Sequence, residues 1–152
     1  MERIYLDTSV FGGFFDIEFE KWTKILFEKI SQGKYIILYS KLTDRELSPA
    51  PKRVKDLVLT IPENQIEVVE ITEEAKELAN RYISENVVGK TSIADCVHIA
   101  LATIYDADIL VSWNFKHIVN ISKIRGYNSI NYRLGHKILE IRTPREILDY
   151  EE

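Results

Sequence analysis

The sequence predicts an α/β fold, a three-layer sandwich whose central, mostly parallel sheet is flanked by helices. Two observations carry this. Apolar runs of strand length alternate with segments whose apolar residues recur at helical spacing, the signature of successive strand–helix units. The chain of 152 residues is 45% hydrophobic and 29% charged, enough material for one well-filled core and too little for two ordinary domains. One domain over residues 1–152 is therefore expected, with no internal repeat, low-complexity tract or Gly/Ser linker to divide it.

Each element has a local reason. Residues 3–6 read as a first strand, followed by a flexible turn at Gly12 and Gly13. From Trp22, apolar residues recur at 22, 25, 26 and 30, and Gly33 follows as a helix stop. Residues 35–39 are continuously apolar and read as a second strand buried on both faces. Ser40 caps a short helix through Leu47, which the run Pro49-Ala50-Pro51 breaks. A helix over 52–59 and a strand over 66–71 come next. Thr72 opens a helix with Ala75, Leu78, Ala79, Tyr82 and Ile83 on one stripe, and 86–90 form a loop. Ser92 starts the most apolar helix, which runs to Tyr105. Residues 109–111 give a fourth strand and 138–141 a fifth. Thr143-Pro144-Arg145-Glu146 combines an N-cap, a proline at the first helical position and a capping-box glutamate, so a last helix begins there.

Composition excludes several classes. No apolar run approaches the ~18 residues of a membrane span. The N-terminus meets Asp7 after only three apolar positions, unlike a secretory signal. With a single cysteine, Cys96, zinc sites built on cysteine pairs are excluded and a cytoplasmic, reducing setting is expected. The net charge of −4 argues against coating of duplex DNA by bulk charge. That charge is uneven: residues 113–145 carry seven Lys or Arg against Glu140 alone, leaving −10 on the rest. A basic stretch beside an acidic body suits an anionic ligand held next to bound cations.

The acids fall in a pattern. Asp7 ends the first strand and is followed by Thr8 and Ser9, hydroxyls able to bond a carboxylate or phosphate. Glu46 lies on the helix after the second strand, and Asp95 in the first turn of the apolar helix. The fourth strand ends in Ser112-Trp113-Asn114. In open parallel sheets ligands sit outside the carboxyl ends of the strands, so these distant positions are expected to converge on one rim. An oxygen-rich cluster without histidine or cysteine selects Mg²⁺ or Mn²⁺. Such an ion relieves carboxylate repulsion, polarises a phosphate and ionises water near neutral pH. Phosphodiester cleavage is the chemistry this serves best. Each acid also has a plainer reading: Asp7 as a helix cap, Asp95 as the third residue of a capping box opened by Ser92, and Glu46 as a solvated partner of Arg45 or Lys41.

Four segments together resemble the PIN-domain ribonucleases, including VapC-type toxins: Tyr5-Leu6-Asp7-Thr8-Ser9-Val10, Leu42-Thr43-Asp44-Arg45-Glu46-Leu47, the stretch from Ala94-Asp95 to Ala102, and that from Ile109 to Ile118. They occur in the family's order, spaced 39, 49 and 19 residues between positions 7, 46, 95 and 114. The resemblance implies that Asp7, Glu46 and Asp95 hold one or two Mg²⁺ or Mn²⁺ ions and that Asn114 completes the catalytic set. It also implies hydrolysis of single-stranded RNA by a metal-activated water. Ser112 matches a supporting hydroxyl position, beside Thr8 and Ser9. Asn114 stands where many members place an aspartate, which weakens a second ion and leaves a non-cleaving, RNA- or protein-binding module as the alternative. A toxin of this type would form a homodimer and be silenced by a small antitoxin.

Other residues complete the expectation. Arg45 and Lys116 are the preferred RNA-phosphate contacts, with ordinary surface ion pairs as the alternative, and His117 joins them, with exposure to solvent as its alternative. His98, one helical turn after Asp95, reads as a packed or partly exposed helix histidine in preference to a contact of the site, and Cys96 as core rather than nucleophile. Phe11, Phe14 and Phe15 are assigned to a dimer interface in preference to the core or to base stacking, and Trp113 is expected to be packed. Ser9 stands where a haloacid-dehalogenase-type phosphatase needs a second aspartate. The third strand lacks the aspartate of a receiver domain, and Gly12-Gly13 is no P-loop.

Overall fold

Alternation of side chains along the strands sorts the core into two layers. A computed structural model describes residues 1–89 and 93–150. Its strands β1 (Glu2–Leu6), β2 (Tyr35–Ser40), β3 (Ile66–Val69), β4 (Ile109–Val111) and β5 (Glu140–Arg142) form one sheet in the order β3-β2-β1-β4-β5. All four pairings are parallel. The helices among the described residues are α1 (Thr8–Gly13), α2 (Glu20–Ser31), α3 (Lys41–Leu47), α4 (Lys52–Val58), α5 (Glu73–Ser84), α6 (Ile93–Ile104), α7 (Ile121–Arg133) and α8 (Pro144–Tyr150). Tyr5, Leu38 and Leu110 point to the side covered by α5, α6 and α7. Ile4, Leu6, Ile37, Tyr39, Ile109 and Val111 point to the side covered by α1, α2, α4 and α8. The three-layer α/β sandwich is thus the observed fold, and its sheet is parallel throughout.

The caps read from sequence do what their chemistry requires. Ser40 Oγ accepts from Thr43 N at 3.0 Å, and Thr72 Oγ1 from Ala75 N at 3.1 Å. The box at α8 is reciprocal: Glu146 N donates to Thr143 Oγ1 at 3.1 Å, and Thr143 N to Glu146 Oε1 at 2.9 Å. Gly33 follows α2 at φ +85°, the left-handed conformation that ends helices. The cap expected from Ser92, and the end of the 86–90 loop at Lys90, lie outside the described residues.

Four expectations need correction. Gly12 and Gly13 are no flexible turn but the end of α1, which Asp7 caps by accepting from Ser9 N. Helix α7 has no counterpart in the sequence reading, because its polar residues and Gly126 obscure the stripe that buries Tyr127 and Ile130. Strand β3 stops at Val69, with residues 70–72 leading to the cap of α5 rather than extending the ladder. Phe11 belongs to the core and not to a dimer interface: it is fully buried, edge-on to Phe27 and Tyr39 at 5.8 Å. Phe14 and Phe15 are half-buried against the same core.

Gly13 is required by close approach. A Cβ there would meet Trp113 Cδ1 at 2.7 Å and Nε1 at 2.8 Å. That indole is stacked on Phe19 at 4.4 Å and donates from Nε1 to Thr23 Oγ1 at 2.9 Å. Gly13→Ala therefore displaces a well-held ring and is expected to cost ~1–3 kcal/mol, read as a lower Tm with altered tryptophan fluorescence. An unchanged melt would show that the contact yields without strain.

Candidate active site

The sheet topology makes the site. Strand order reverses at β1, whose neighbours β2 and β4 lead to opposite edges, and crevices open at the carboxyl ends of such strands. Leu6 pairs with Val111, and Asp7 N donates to Val111 O at 3.2 Å, so the chain leaves β1 and β4 side by side. Ser40, ending β2, caps α3 and so sets the helix that carries Glu46.

Asp7 is 3% exposed. Its Oδ1 accepts from Ser9 N at 3.1 Å and Ser9 Oγ at 2.6 Å, and its Oδ2 from Ser112 Oγ at 2.8 Å. Trp113 N donates to Ser9 Oγ and Asn114 N to Ser112 Oγ, both at 2.9 Å, locking the β4 exit onto the start of α1. The plainer reading of Asp7 as a cap is therefore also true, but a cap needs only one of these contacts. Burial, reinforced by the charge of Asp95, holds the Asp7 carboxyl above the usual range despite His98, Ser9 and Ser112.

Asp95 is likewise raised, by burial first and by the charge of Glu46. His98, His117 and a hydrogen bond from Asn114 act in the other direction. Asn114 Oδ1 accepts from His117 N at 3.0 Å. Burial would raise Glu46 too, but His98 and Thr8 override it and hold this carboxyl below its usual value. Thr8 Oγ1 donates to Glu46 Oε1 at 2.5 Å, and His98 Nε2 lies 2.7 Å from the same oxygen.

The structure thus brings together Asp7, Glu46, Asp95 and Asn114, with Thr8, Ser9 and Ser112 bonded to them. Arg45 and Lys116 are exposed on the surface, on α3 and on the turn after Asn114. His117 is half-buried beside Asp95, and its buried Nδ1 has no hydrogen-bond partner among the described residues. Cys96 is buried, its thiol pushed up to about 12 mainly by that burial, which suits a core residue. Trp113 is packed, as expected. His98, expected to be packed in preference to touching the site, does both: it is buried, and it bonds Glu46 from one helical turn after Asp95, a spacing that puts both on one face.

Two carboxyl groups held above their usual range are poorly stabilised as anions without a counter-charge, and oxygen-only donors match a hard divalent cation. Among the described residues, no group of three or more His, Cys, Asp or Glu is placed to hold an ion jointly. Mg²⁺ needs fewer, since it is commonly bound through one or two carboxylates and keeps its other waters. Asp7 and Asp95 fit that role, with Glu46 tied to His98 and Thr8.

Comparisons with known proteins agree with this architecture. The family model described as "PIN domain" matches residues 4–116. VapC20 of Mycobacterium tuberculosis, described as a sarcin–ricin loop cleaving toxin, superposes with a TM-score of 0.56 at 13% identity, covering 74% of this chain and 90% of its own. VapBC2 of Rickettsia felis, solved with a DNA fragment from its promoter, gives 0.56 at 14% identity over 91% and 98%. FitAcB of Neisseria gonorrhoeae gives 0.57 at 12% identity over 93% and 97%. No curated protein matches in sequence. At such identities the solved structures show a shared fold, while the family model spans well over half of the sequence: the chain belongs to the PIN domain family.

Proposed function

We propose that residues 1–152 form one nuclease domain, a Mg²⁺- or Mn²⁺-dependent endoribonuclease that hydrolyses phosphodiester bonds of single-stranded RNA. The observation that carries this reading is the meeting of Asp7 and Asp95 at one rim with both carboxyls raised. A divalent ion, when bound there, supplies Lewis acidity to the scissile phosphate and acidifies a water. The chain's own part is positioning. Ser9 and Ser112 fix both oxygens of Asp7, Asn114 and the histidines temper Asp95, and Thr8 with His98 keeps Glu46 ionised. Arg45, Lys116 and His117 are proposed to meet the RNA phosphates on either side. By similarity to VapC20, VapBC2 and FitAcB, the chain is proposed to act in the cytoplasm as the toxin of a type II toxin–antitoxin pair, as a homodimer restrained by a small antitoxin. Asn114, where an acid is expected, favours the second reading of a PIN-like module that binds RNA or a protein without cutting.

The test is cleavage of a mixed single-stranded RNA pool with and without Mn²⁺, for the native protein and Asp95→Asn. Mn²⁺-dependent cleavage that falls at least ~100-fold in the variant, as loss of a group stabilising the transition state does, supports the enzyme. RNA retained on the native protein without cleavage favours the binding module, and equal cleavage by both proteins places the chemistry elsewhere.

A further inference from the structure

We propose that His98 is a positioning residue for Glu46, held in place by the Tyr5 hydroxyl; this rests on the metal-dependent nuclease reading above. His98 is 2% exposed, yet both ring nitrogens have polar partners. Nε2 lies 2.7 Å from Glu46 Oε1, and Nδ1 lies 2.6 Å from the Tyr5 hydroxyl. Tyr5 is itself fully buried and edge-on to the imidazole, with ring centroids 5.7 Å apart.

The contacts close into a ring. Tyr5 OH donates to Ser40 Oγ at 2.8 Å, and Ser40 caps α3 through Thr43 N at 3.0 Å. Helix α3 then carries Glu46 back to His98. One phenol thereby references both the start of this helix and the histidine that grips its carboxylate. A histidine needed only for packing would be satisfied by any buried acceptor. Here the partner is a half-buried carboxylate at the rim, whose freedom is lost by the contact. Thr8 Oγ1 converges on the same Oε1.

Partners of this kind, bonded to the carboxylates of a metal site, typically carry ~10–100-fold of metal affinity or activity. His98→Ala is therefore expected to weaken Mn²⁺ binding, read by electron paramagnetic resonance titration without RNA, by about that factor. In the RNA-pool assay kcat should fall with apparent KM unchanged. His98→Gln, whose amide can donate to Oε1, should recover most of both. Tyr5→Phe keeps the ring and the core volume, and it is expected to lower Mn²⁺ affinity about 3- to 10-fold, the worth of one hydrogen bond. This variant decides the matter if His98→Ala does not fold. Native Mn²⁺ affinity in Tyr5→Phe and His98→Ala, or a His98→Gln as impaired as His98→Ala, would overturn the proposal. A native protein that neither binds Mn²⁺ nor cleaves RNA sinks the nuclease reading itself and this proposal with it.

Discussion

Asp7→Asn is expected to abolish cleavage while making the protein harder to unfold. The two effects have one source. Three hydrogen bonds from Ser9 and Ser112 favour the charged carboxylate, but burial and the nearby Asp95 oppose it more strongly and leave the pKa raised. The native state then holds a proton that the unfolded chain has released, so stability is greatest below the unfolded value of ~4 and falls as pH rises through the folded pKa. At neutral pH the native protein carries that penalty. Asparagine has nearly the same shape, caps helices as well as aspartate, and keeps an acceptor for Ser9 N. Its amide faces Ser112 Oγ, a hydroxyl that can rotate to accept. Without divalent ions, the variant's Tm at pH 7 should exceed the native value by about 2–4 °C, the shift that ~1 kcal/mol produces in a chain of this size. Its Tm should also vary less between pH 4 and 7. Cleavage should fall at least ~100-fold, because the counter-charge for a cation is gone. A variant that is less stable yet fully active would show that Asp7 is a structural cap and nothing more.

What could be read from the sequence divides by the range of the forces involved. Helix caps at Ser40, Thr72 and Thr143 depend on residues three positions apart, and each forms as read. Strands β1, β2 and β4 announce themselves because a parallel sheet covered on both faces demands unbroken apolar runs. Once these strands lie side by side, the convergence of Asp7, Glu46 and Asn114 follows, since each sits just beyond a strand end or in the next helix, while Asp95 joins them from the first turn of α6, the helix that leads into β4. Helix α7 was hidden because its burial comes from contacts with α5 rather than from a continuous stripe: Tyr82 packs edge-on to Tyr127 at 5.0 Å and donates to Asn131. The contacts of His98 are hidden for a related reason. Its partners, Tyr5 and Glu46, are 93 and 52 residues away, and no local pattern reports such a pairing. Phe11 shows the reverse error, an aromatic near an acid read as surface when the intervening helix turns it inward.

The asparagine at 114 offers the second large effect, in which metal-free and metal-bound protein should respond in opposite directions. Its side chain helps hold the Asp95 carboxyl down, while its Oδ1 accepts from His117 N at 3.0 Å. Asn114→Asp keeps the acceptor, removes the donor and places a like charge within hydrogen-bonding reach of Asp95. Without divalent ions, repulsion should raise the Asp95 carboxyl further and lower Tm by about 2–4 °C, the cost of ~1 kcal/mol. With Mn²⁺ the added charge becomes an asset. A tenfold gain in affinity adds ~1.4 kcal/mol to the stabilisation at saturating ion, enough to offset the loss. The melting curves of the two proteins should therefore converge or cross as Mn²⁺ is titrated, and cleavage should quicken if a second ion limits the native rate. Weaker Mn²⁺ binding by the variant would mean that the site depends on the Asn114 amide rather than lacking a charge. The departure at this position would then be an adaptation that supports Asp95, and the expectation of a hampered second ion would fall.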